Sequence, residues 1–572
     1  MGGRKRLSWV ADFETTTKAN DCRVWGWGLC DVEKASELDD VEIGQDISGF
    51  VDRLMKMPSA IVYFHNLKFD GKFILDWLLR NGYAHTMDTT RPGFFNSLIS
   101  NMGSFYSITV HWMNGKKTEF RDSWKKLPMS ADRVAKSFKL PEAKGHIDYH
   151  AERPVGHILT PEEREYLATD VLIISRALKM QFSTGMKKMT VGSDALAEFK
   201  RMHTSKLFDR MFPVLPATMD AELRQAYKGG FTYADPRFQG KITRKGRTYD
   251  VNSLYPSVMY DRLLPYGEPI YAEGLPSPTP ERPLFIASIT FTAKLKPGHI
   301  PCIQVKGSAS FISTEYQTEI KDPVTLMCSN VDLALWQDHY DMDVLAYNGG
   351  WLFQGITGVF TEYIDKWMNV KTNNDGGIKE IAKLHLNSLY GKFGTNPNVT
   401  QKIPVLENDV VKLKLGPPEM KDPIYIPLGV FITAYARDVT IRAAQQHYDS
   451  FAYADTDSLH LLVDEDPTTL EVDPKKLGAW KREYLFDAAL FIRAKTYTEL
   501  VSPGHCHNED DDHEHQPHGC HVTHIAGLPV SVAKQLTFDD FVGGRKFSGK
   551  LNPKTVPGGV ILDDVGFTMP VF

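Results

Sequence analysis

An Asp-Thr-Asp triplet, Asp455-Thr456-Asp457, interrupts an apolar run that begins at Tyr453-Ala454 and resumes through Leu459, His460, Leu461, Leu462 and Val463. Such a run belongs in the buried part of a sheet. Two like charges two residues apart are costly there unless something compensates them. Divalent cations are the commonest compensation, and hard carboxylate oxygens suit magnesium. The triplet therefore points to phosphoryl-transfer chemistry, although acids in this spacing also occur in surface turns.

A partner acid lies upstream in Tyr249-Asp250-Val251-Asn252-Ser253-Leu254-Tyr255-Pro256-Ser257. Asp250 falls where a short strand should end, with Pro256 stopping the ladder soon after. Asp250, Asp455 and Asp457 together could share two metal ions, one activating a primer hydroxyl and one holding a triphosphate. The carbonyl of Val251 is an additional ligand candidate. Tyr255 would stand at the sugar, where a flat ring excludes a 2′-hydroxyl and selects DNA precursors. Taken singly, Asp250 reads as a strand-end acid and Tyr255 as an ordinary core aromatic.

Between them, the segment 378–394 reads as a helix closed by glycine. Lys379, Lys383, Asn387 and Tyr390 recur at steps of four, four and three and so share one face. Ile378, Ile381, Ala382, His385 and Leu389 form the opposite, apolar face. A lysine stripe ending in Asn and Tyr suits a triphosphate and the base pair behind it. Most lysine-rich faces are merely solvated, but the Asn and Tyr add nothing to such a face.

Residue by residue, these segments resemble the three polymerase motifs of family B DNA polymerases: Asp-x-x-Ser-Leu-Tyr-Pro at 250–256, Lys-x-x-x-Asn-Ser-x-Tyr-Gly at 383–391 and Asp-Thr-Asp at 455–457. The resemblance implies further roles. Lys371 looks like a second phosphate-contacting lysine. Lys495 and Tyr497 look like the Lys-x-Tyr that steadies a primer end. Thr433 and Arg437 lie in what resembles a DNA-contacting palm segment. Tyr227, Gly229 and Gly230 resemble the Tyr-x-Gly-Gly loop between exonuclease and polymerase, where glycines let backbone amides approach a template strand.

The front of the chain carries a second series of acids. Asp12 and Glu14 alternate onto one face of a strand. Asp70 follows an apolar strand at Tyr63-Phe64, and Tyr166 and Asp170 stack four apart on a helix-forming stretch. Four acids would hold magnesium, with Tyr166 orienting the attacking water. Asp-x-Glu alone is common on exposed strands; the whole series resembles the family's DEDD-type 3′→5′ proofreading exonuclease. His65, Asn66 and Phe69, with the basic-apolar patch of Ser123, Lys125 and Lys126, are candidates for contact with unpaired bases. Lys144 looks like an auxiliary exonuclease lysine. Relatives tend to carry an acid where His146 stands, and Asp148 is the candidate substitute ligand.

At 572 residues the chain exceeds one core, and its hydrophobic fraction of 42% is ordinary for globular proteins. No run of about 20 apolar residues predicts a membrane span, and the charged start lacks an apolar signal core. The expected location is the cytoplasm. A net charge of −5 does not advertise a nucleic-acid binder, but binding depends on local stripes, and acidic metal sites pull the total down. The six cysteines are dispersed, which fits a reducing compartment. Around His505, Cys506 and Cys520, soft ligands are dense enough for zinc. The run 509–512 of acids favours a hydrated loop there instead.

The expected fold is mixed α/β and α+β and multidomain, a ribonuclease-H-like exonuclease joined to a right-hand polymerase with palm, fingers and thumb. The expected division is an exonuclease at 1–189, palm at 190–260 and 422–526, fingers at 359–395, and a thumb at 527–572. Inserts fall at 261–358 and 396–421. Inserts at those places resemble the protein-primed subgroup of small tailed bacteriophages, the phi twenty-nine type. That resemblance implies a first insert contacting a priming terminal protein and a second closing a ring around DNA, giving processivity and strand displacement. Implied partners are primer-template DNA, dNTPs and the terminal protein, bound transiently by an otherwise monomeric chain; implied cofactors are Mg2+, with Mn2+ as a substitute. The phage resemblance makes the expected cytoplasm that of an infected bacterial host. The competing readings are a family B polymerase that uses only nucleic-acid primers, a nuclease whose degenerate polymerase half clamps DNA, and a non-catalytic scaffold for a terminal protein.

Overall fold

In a computed structural model, the chain is described at residues 7–87, 91–142, 145–306, 312, 315–503, 520–528, 533, 536, 538–543 and 546–568. Lys144 and the residues 505–519 of the His-rich segment lie outside the described residues.

The first unit is built on a mixed eight-stranded sheet. Its central strand, Leu7–Thr15, pairs antiparallel with Val24–Asp31 and parallel with Ala60–Phe64. Trp9, Ala11 and Phe13 point into one core with Phe50 and Phe73, while Val10 packs on the other side with Ala168 and Val171. Asp12 and Glu14 share the parity of Val10 and so face the helix Pro161–Ser183. That helix starts at a capping box between Thr160 and Glu163, with Pro161 in its first turn.

The second unit is an antiparallel sheet in which Gly246–Val251 lies between Ser458–Leu461 and Trp480–Arg493, extended by Phe451–Asp455 and Thr232–Ala234 on one side and by Thr496–Val501 and Cys520–Ile525 on the other. Its back is covered by Ile426–Gln446, a helix whose first half, 426–434, is buried on every face, and whose second half buries Ile441 while exposing Arg442. The strand carrying Asp250 does not run on to Pro256. A turn at Asn252-Ser253, with Ser253 at φ 57°, ends it, and Pro256 lies in the first turn of the helix Leu254–Asp261. Proline is tolerated there because the first-turn amides have no partner within the helix.

The Pro-rich first insert is a sheet in its own right, with strand order Leu264–Ala272, Tyr340–Ile356, Leu284–Leu295 and Glu319–Ser329, and a helix Asn330–His339 against it. Its first strand breaks register between Tyr266 and Ile270, around Pro269, which has no amide to give to the ladder. The second insert is the hairpin Asn398–Glu407 and Val410–Met420. Asn408 and Asp409 at its tip have φ of 52° and 63°, the pair of left-handed residues a two-residue hairpin turn favours. This hairpin reaches the first unit through a bridge from Gln401 to Ser100 and an ion pair from Asp409 to Arg80 at 2.9 Å. The C-terminal hairpin, Lys546–Val556 and Gly559–Thr568, meets the same unit where Gly559 abuts Phe73 and Cys22 donates to the Val560 carbonyl. Cys22, Cys30, Cys302 and Cys328 are free and buried.

Candidate active sites

Asp250, Asp455 and Asp457 are brought together by register. Asp250 lies across from Ser458 on one side and Lys481 on the other, and Asp455 is also paired with Ser458 at the mouth of the hairpin turn. Thr456 at the tip has φ 63°. The Asp457 amide donates to the Asp455 carbonyl at 2.8 Å, and the Val251 amide donates to the Asp457 carbonyl at 2.8 Å. Burial raises the Asp250 carboxyl well above the usual range, with Asp457 and Glu483 adding to the effect. Asp457 is raised by burial and then by Asp455. Asp455 itself is better supplied: its Oδ1 accepts from Thr232 Oγ1 at 2.9 Å and pairs with Lys495 Nζ at 3.2 Å. The acids thus stand as an electrostatically unfavourable cluster that a cation would relieve. Glu483, paired with Lys481 at 3.0 Å, is an addition that the sequence reading lacks. It reaches the site only because its strand happens to lie beside Gly246–Val251.

The Tyr227–Gly230 loop packs on this turn. The Thr456 amide donates to the Phe231 carbonyl at 2.6 Å, and a Cβ on Gly230 would stand 2.6 Å from the Thr456 side chain. Behind the loop, Arg437 donates to the carbonyls of Lys228 and Gly229 at 2.9 Å each and pairs with Asp332 at 2.7 Å. Arg437 and Thr433 are buried, at 4% and 1% exposure, so neither presents its side chain to a DNA strand. Their place is internal: Thr433 bonds back to the Gly429 carbonyl, and Arg437 braces the loop. Tyr497 is likewise buried, packed on Tyr453 and His460 beneath the acids, whereas Lys495 is exposed.

Above the acids, the helix Gly376–Phe393 buries Ile381, Ala382, His385 and Leu389 and leaves Lys379, Lys383, Asn387 and Tyr390 partly or fully exposed. The Tyr255 and Tyr390 rings stack at 3.8 Å between centroids, 18° from parallel. Lys371, from the neighbouring helix Thr361–Asn373, donates to Ser253 at 3.3 Å, and Lys383 pairs with Glu380 at 2.8 Å.

The other acids form a tighter group. Among the described residues, only Asp12, Glu14 and Asp170 bring one carboxylate oxygen each within 4.8 Å of one another. Asp70 is not part of that triad but lies close enough for Asp12 and Glu14 to act on it. Burial first, then those two charges, push its carboxyl well above the usual range. Its Oδ1 is buried with no hydrogen-bond partner among the described residues, as an acid held for a cation would be. The Tyr166 phenol shares a 2.7 Å hydrogen bond with Tyr149, and burial and Asp170 keep it protonated. Asp148 stands apart, exposed, accepting the His150 amide at 2.8 Å in a local turn. The donor sets at both places are all-oxygen and fit magnesium.

Beside the triad, His65 contacts Ser123 Oγ at 3.0 Å and the Met129 carbonyl at 2.8 Å. Ser123 is fully buried and donates to the Phe64 carbonyl, so it orients His65 rather than meeting DNA. Lys126 is also buried, paired with Asp194 at 2.5 Å. Asn66 is exposed in a left-handed conformation and Phe69 is half-buried against Phe73. Trp124, 39% exposed and 5.2 Å from the His65 ring, is a stacking surface that the sequence reading lacks.

The profile of the family described as "DNA polymerase type B, organellar and viral" matches residues 51–160 and 151–473. The DNA polymerase of Bacillus phage phi29 is 46% identical over 582 residues, covering 99% of both chains. That of Bacillus phage Nf is 44% identical over 99% of this chain and 100% of its own, and that of Streptococcus phage Cp-1 is 32% identical over 98% of each. The solved structure of the phi29 polymerase complexed with primer-template DNA and incoming nucleotide superposes with a TM-score of 0.91 at 44% identity, over 99% of this chain and 100% of that one. Its complex with single-stranded DNA gives 0.89 over the same coverage.

Proposed function

This chain belongs to the organellar and viral type B DNA polymerases and is a DNA-directed DNA polymerase of the phi29 type; from that premise we propose that it initiates on a protein primer, proofreads at a second site and displaces strands processively while copying a linear phage genome in the host cytoplasm. The observation that carries the two-activity reading is that Asp250 and Asp457 act on each other in one sheet, while Asp12 and Glu14 of another sheet meet Asp170 of a helix packed on it.

Divalent cations, magnesium with manganese as a substitute, held by Asp250, the Val251 carbonyl and Asp457 at one cluster and by Asp12, Glu14, Asp70 and Asp170 at the other, supply charge neutralisation for the phosphoryl group being transferred or hydrolysed. In synthesis, Lys371, Lys379 and Lys383 neutralise the triphosphate. Asn387 and the Tyr255–Tyr390 stack shape the base and sugar pocket, Asp455 assists Asp250 and Asp457, and Lys495 steadies the primer end. In editing, Tyr166 orients the attacking water, and His65, Asn66, Phe69 and Trp124 receive the frayed strand.

Two features support the finer reading. The first insert exposes Ile270, Tyr271, Leu345 and Tyr347, apolar groups suited to a protein partner. The second insert and the C-terminal hairpin both dock on the exonuclease helix Leu67–Arg80, an arrangement suited to enclosing DNA. Among the described residues, no helix is long and apolar enough to cross a membrane.

The test is incubation with a terminal protein of the same phage and labelled nucleotide. A covalent nucleotide–protein adduct is expected. Extension of nucleic-acid primers without any adduct would establish the competing reading of a polymerase that needs an ordinary primer.

A further inference from the structure

We infer that Glu499 and His460, buried directly beneath the polymerase acids, act through Ser458 as positioning residues for the Asp455-Thr456-Asp457 turn. Both are at 0% exposure, a place where a carboxylate and an imidazole are rarely left without purpose. Glu499 comes from the strand Thr496–Val501, separated from the strands of the turn by two others, so it reaches the site only across the sheet.

The connections form one line. His460 Nδ1 lies 2.8 Å from Glu499 Oε1. Tyr484 donates its hydroxyl to Glu499 Oε2 at 2.6 Å, and Thr248 donates to Oε1 at 3.3 Å. A carboxylate taking these donors fixes the proton of His460 on Nδ1, because the alternative tautomer would set a lone pair against it. His460 Nε2 is then an acceptor, and Ser458 Oγ lies 3.3 Å from it. Ser458 Oγ accepts the Asp455 amide at 3.1 Å and lies 3.4 Å from the Asp455 carbonyl. With its proton drawn toward His460, the hydroxyl keeps a lone pair for the Asp455 amide. The backbone that aims Asp455 and Asp457 is thereby set by a charge on another strand. A glycine loop presses on the same turn from above, so the turn is held on both sides.

Glu499 and His460 touch no substrate in this scheme; their role is to fix the turn to within the fraction of an ångström that in-line transfer requires. The inference rests on the assignment of Asp457 to nucleotide addition, and D457A run in parallel separates the two. Synthesis by D457A would sink that assignment, whereas an inactive D457A beside a wild-type E499Q would sink the relay alone.

In single-turnover incorporation, E499Q and S458A should each lower the maximal rate by about tenfold or more. Apparent dNTP affinity should stay within about twofold, and 3′→5′ hydrolysis and the unfolding temperature should be unchanged. The double variant should lose no more than the worse single one, because both cut the same line. In protein labelled with 15N-histidine, the His460 signal, identified by its loss in H460N, should report a protonated Nδ1, and E499Q should redistribute the ring between tautomers. Wild-type rates in both variants, additive losses in the double variant, or joint loss of synthesis and exonuclease activity would overturn the proposal. If E499Q does not fold, S458A, which removes a single hydroxyl, decides by the same criteria.

Discussion

The amide of Val251 donates to the carbonyl of Asp457 at 2.8 Å. The two strands bearing the polymerase acids are thus tied at the point where their carboxylates meet, which keeps like charges close despite the cost. Asp12 and Glu14 lie on a strand of a different sheet, with Asp170 on a helix packed against it.

That separation predicts independent losses. Asp457→Ala should reduce nucleotide addition by at least about a thousandfold and leave 3′→5′ degradation of single strands intact. Asp12→Ala should do the reverse. Primer extension and digestion of labelled single-stranded DNA, each on folded protein, check both; loss of both activities in either variant would contradict two separate sites.

In the proposed nucleotide pocket, the Tyr255–Tyr390 stack forms one wall. Tyr255→Val removes the ring and should raise ribonucleotide use relative to deoxyribonucleotide by roughly ten- to a hundredfold, the range steric discrimination against one small group provides. Competition between labelled rNTP and dNTP measures the ratio.

Asp332 on the first insert is the counter-charge for Arg437 and lies near Lys228 in the interior. Burial pushes its carboxyl up, but the two cations more than offset this and hold it below the usual range. Asp332→Ala leaves two buried cations uncompensated and should cost about 3–5 kcal/mol in denaturant unfolding, with Arg437→Met at the same site less damaging than Asp332→Ala. Equal, negligible losses would mean that the pair does not brace the loop.

His385, inside the lysine helix, stacks on Trp367 at 3.8 Å, and burial with the nearby Lys366 charge drives its pKa from 6.5 down to about 3. The unfolded chain therefore takes up a proton below about pH 6.5 that the folded one refuses. Stability should fall as pH drops through this window, by about 2 kcal/mol between pH 7 and pH 5. Urea midpoints at the two values should differ for the parent and differ less for His385→Leu.

A Cβ at Gly559 would meet the Phe73 ring at 2.3 Å. Gly559→Ala should push the C-terminal hairpin off the exonuclease unit and shorten products on long templates with trap DNA, while single-nucleotide addition stays at the parent rate. Undiminished product length would argue that this contact does not help retain DNA.

That Asp12, Glu14 and Asp170, and separately Asp250 and Asp457, come together in the fold was legible before any folding, because buried-type segments seldom carry acids without a reason. The lysine helix was legible too, since its period alone sorts Lys379, Lys383, Asn387 and Tyr390 from the apolar face. Less legible was exposure. Ser123, Thr433, Arg437 and Tyr497 are residue types that commonly meet nucleic acid, yet here they are interior: Thr433 bonds back within its own helix, and the others meet a carbonyl, a carboxylate and aromatic rings from distant segments.

Sequence alone marked out the acids and the two faces of the lysine helix, because residue type and local periodicity are properties of short segments. Only the tertiary structure decided that Glu483 joins Asp250, that Glu499 reaches His460, and that Asp332 of the first insert answers Arg437 of the palm. Those relations depend on strand register and on which surfaces become buried, and both are set by contacts between residues far apart in the chain.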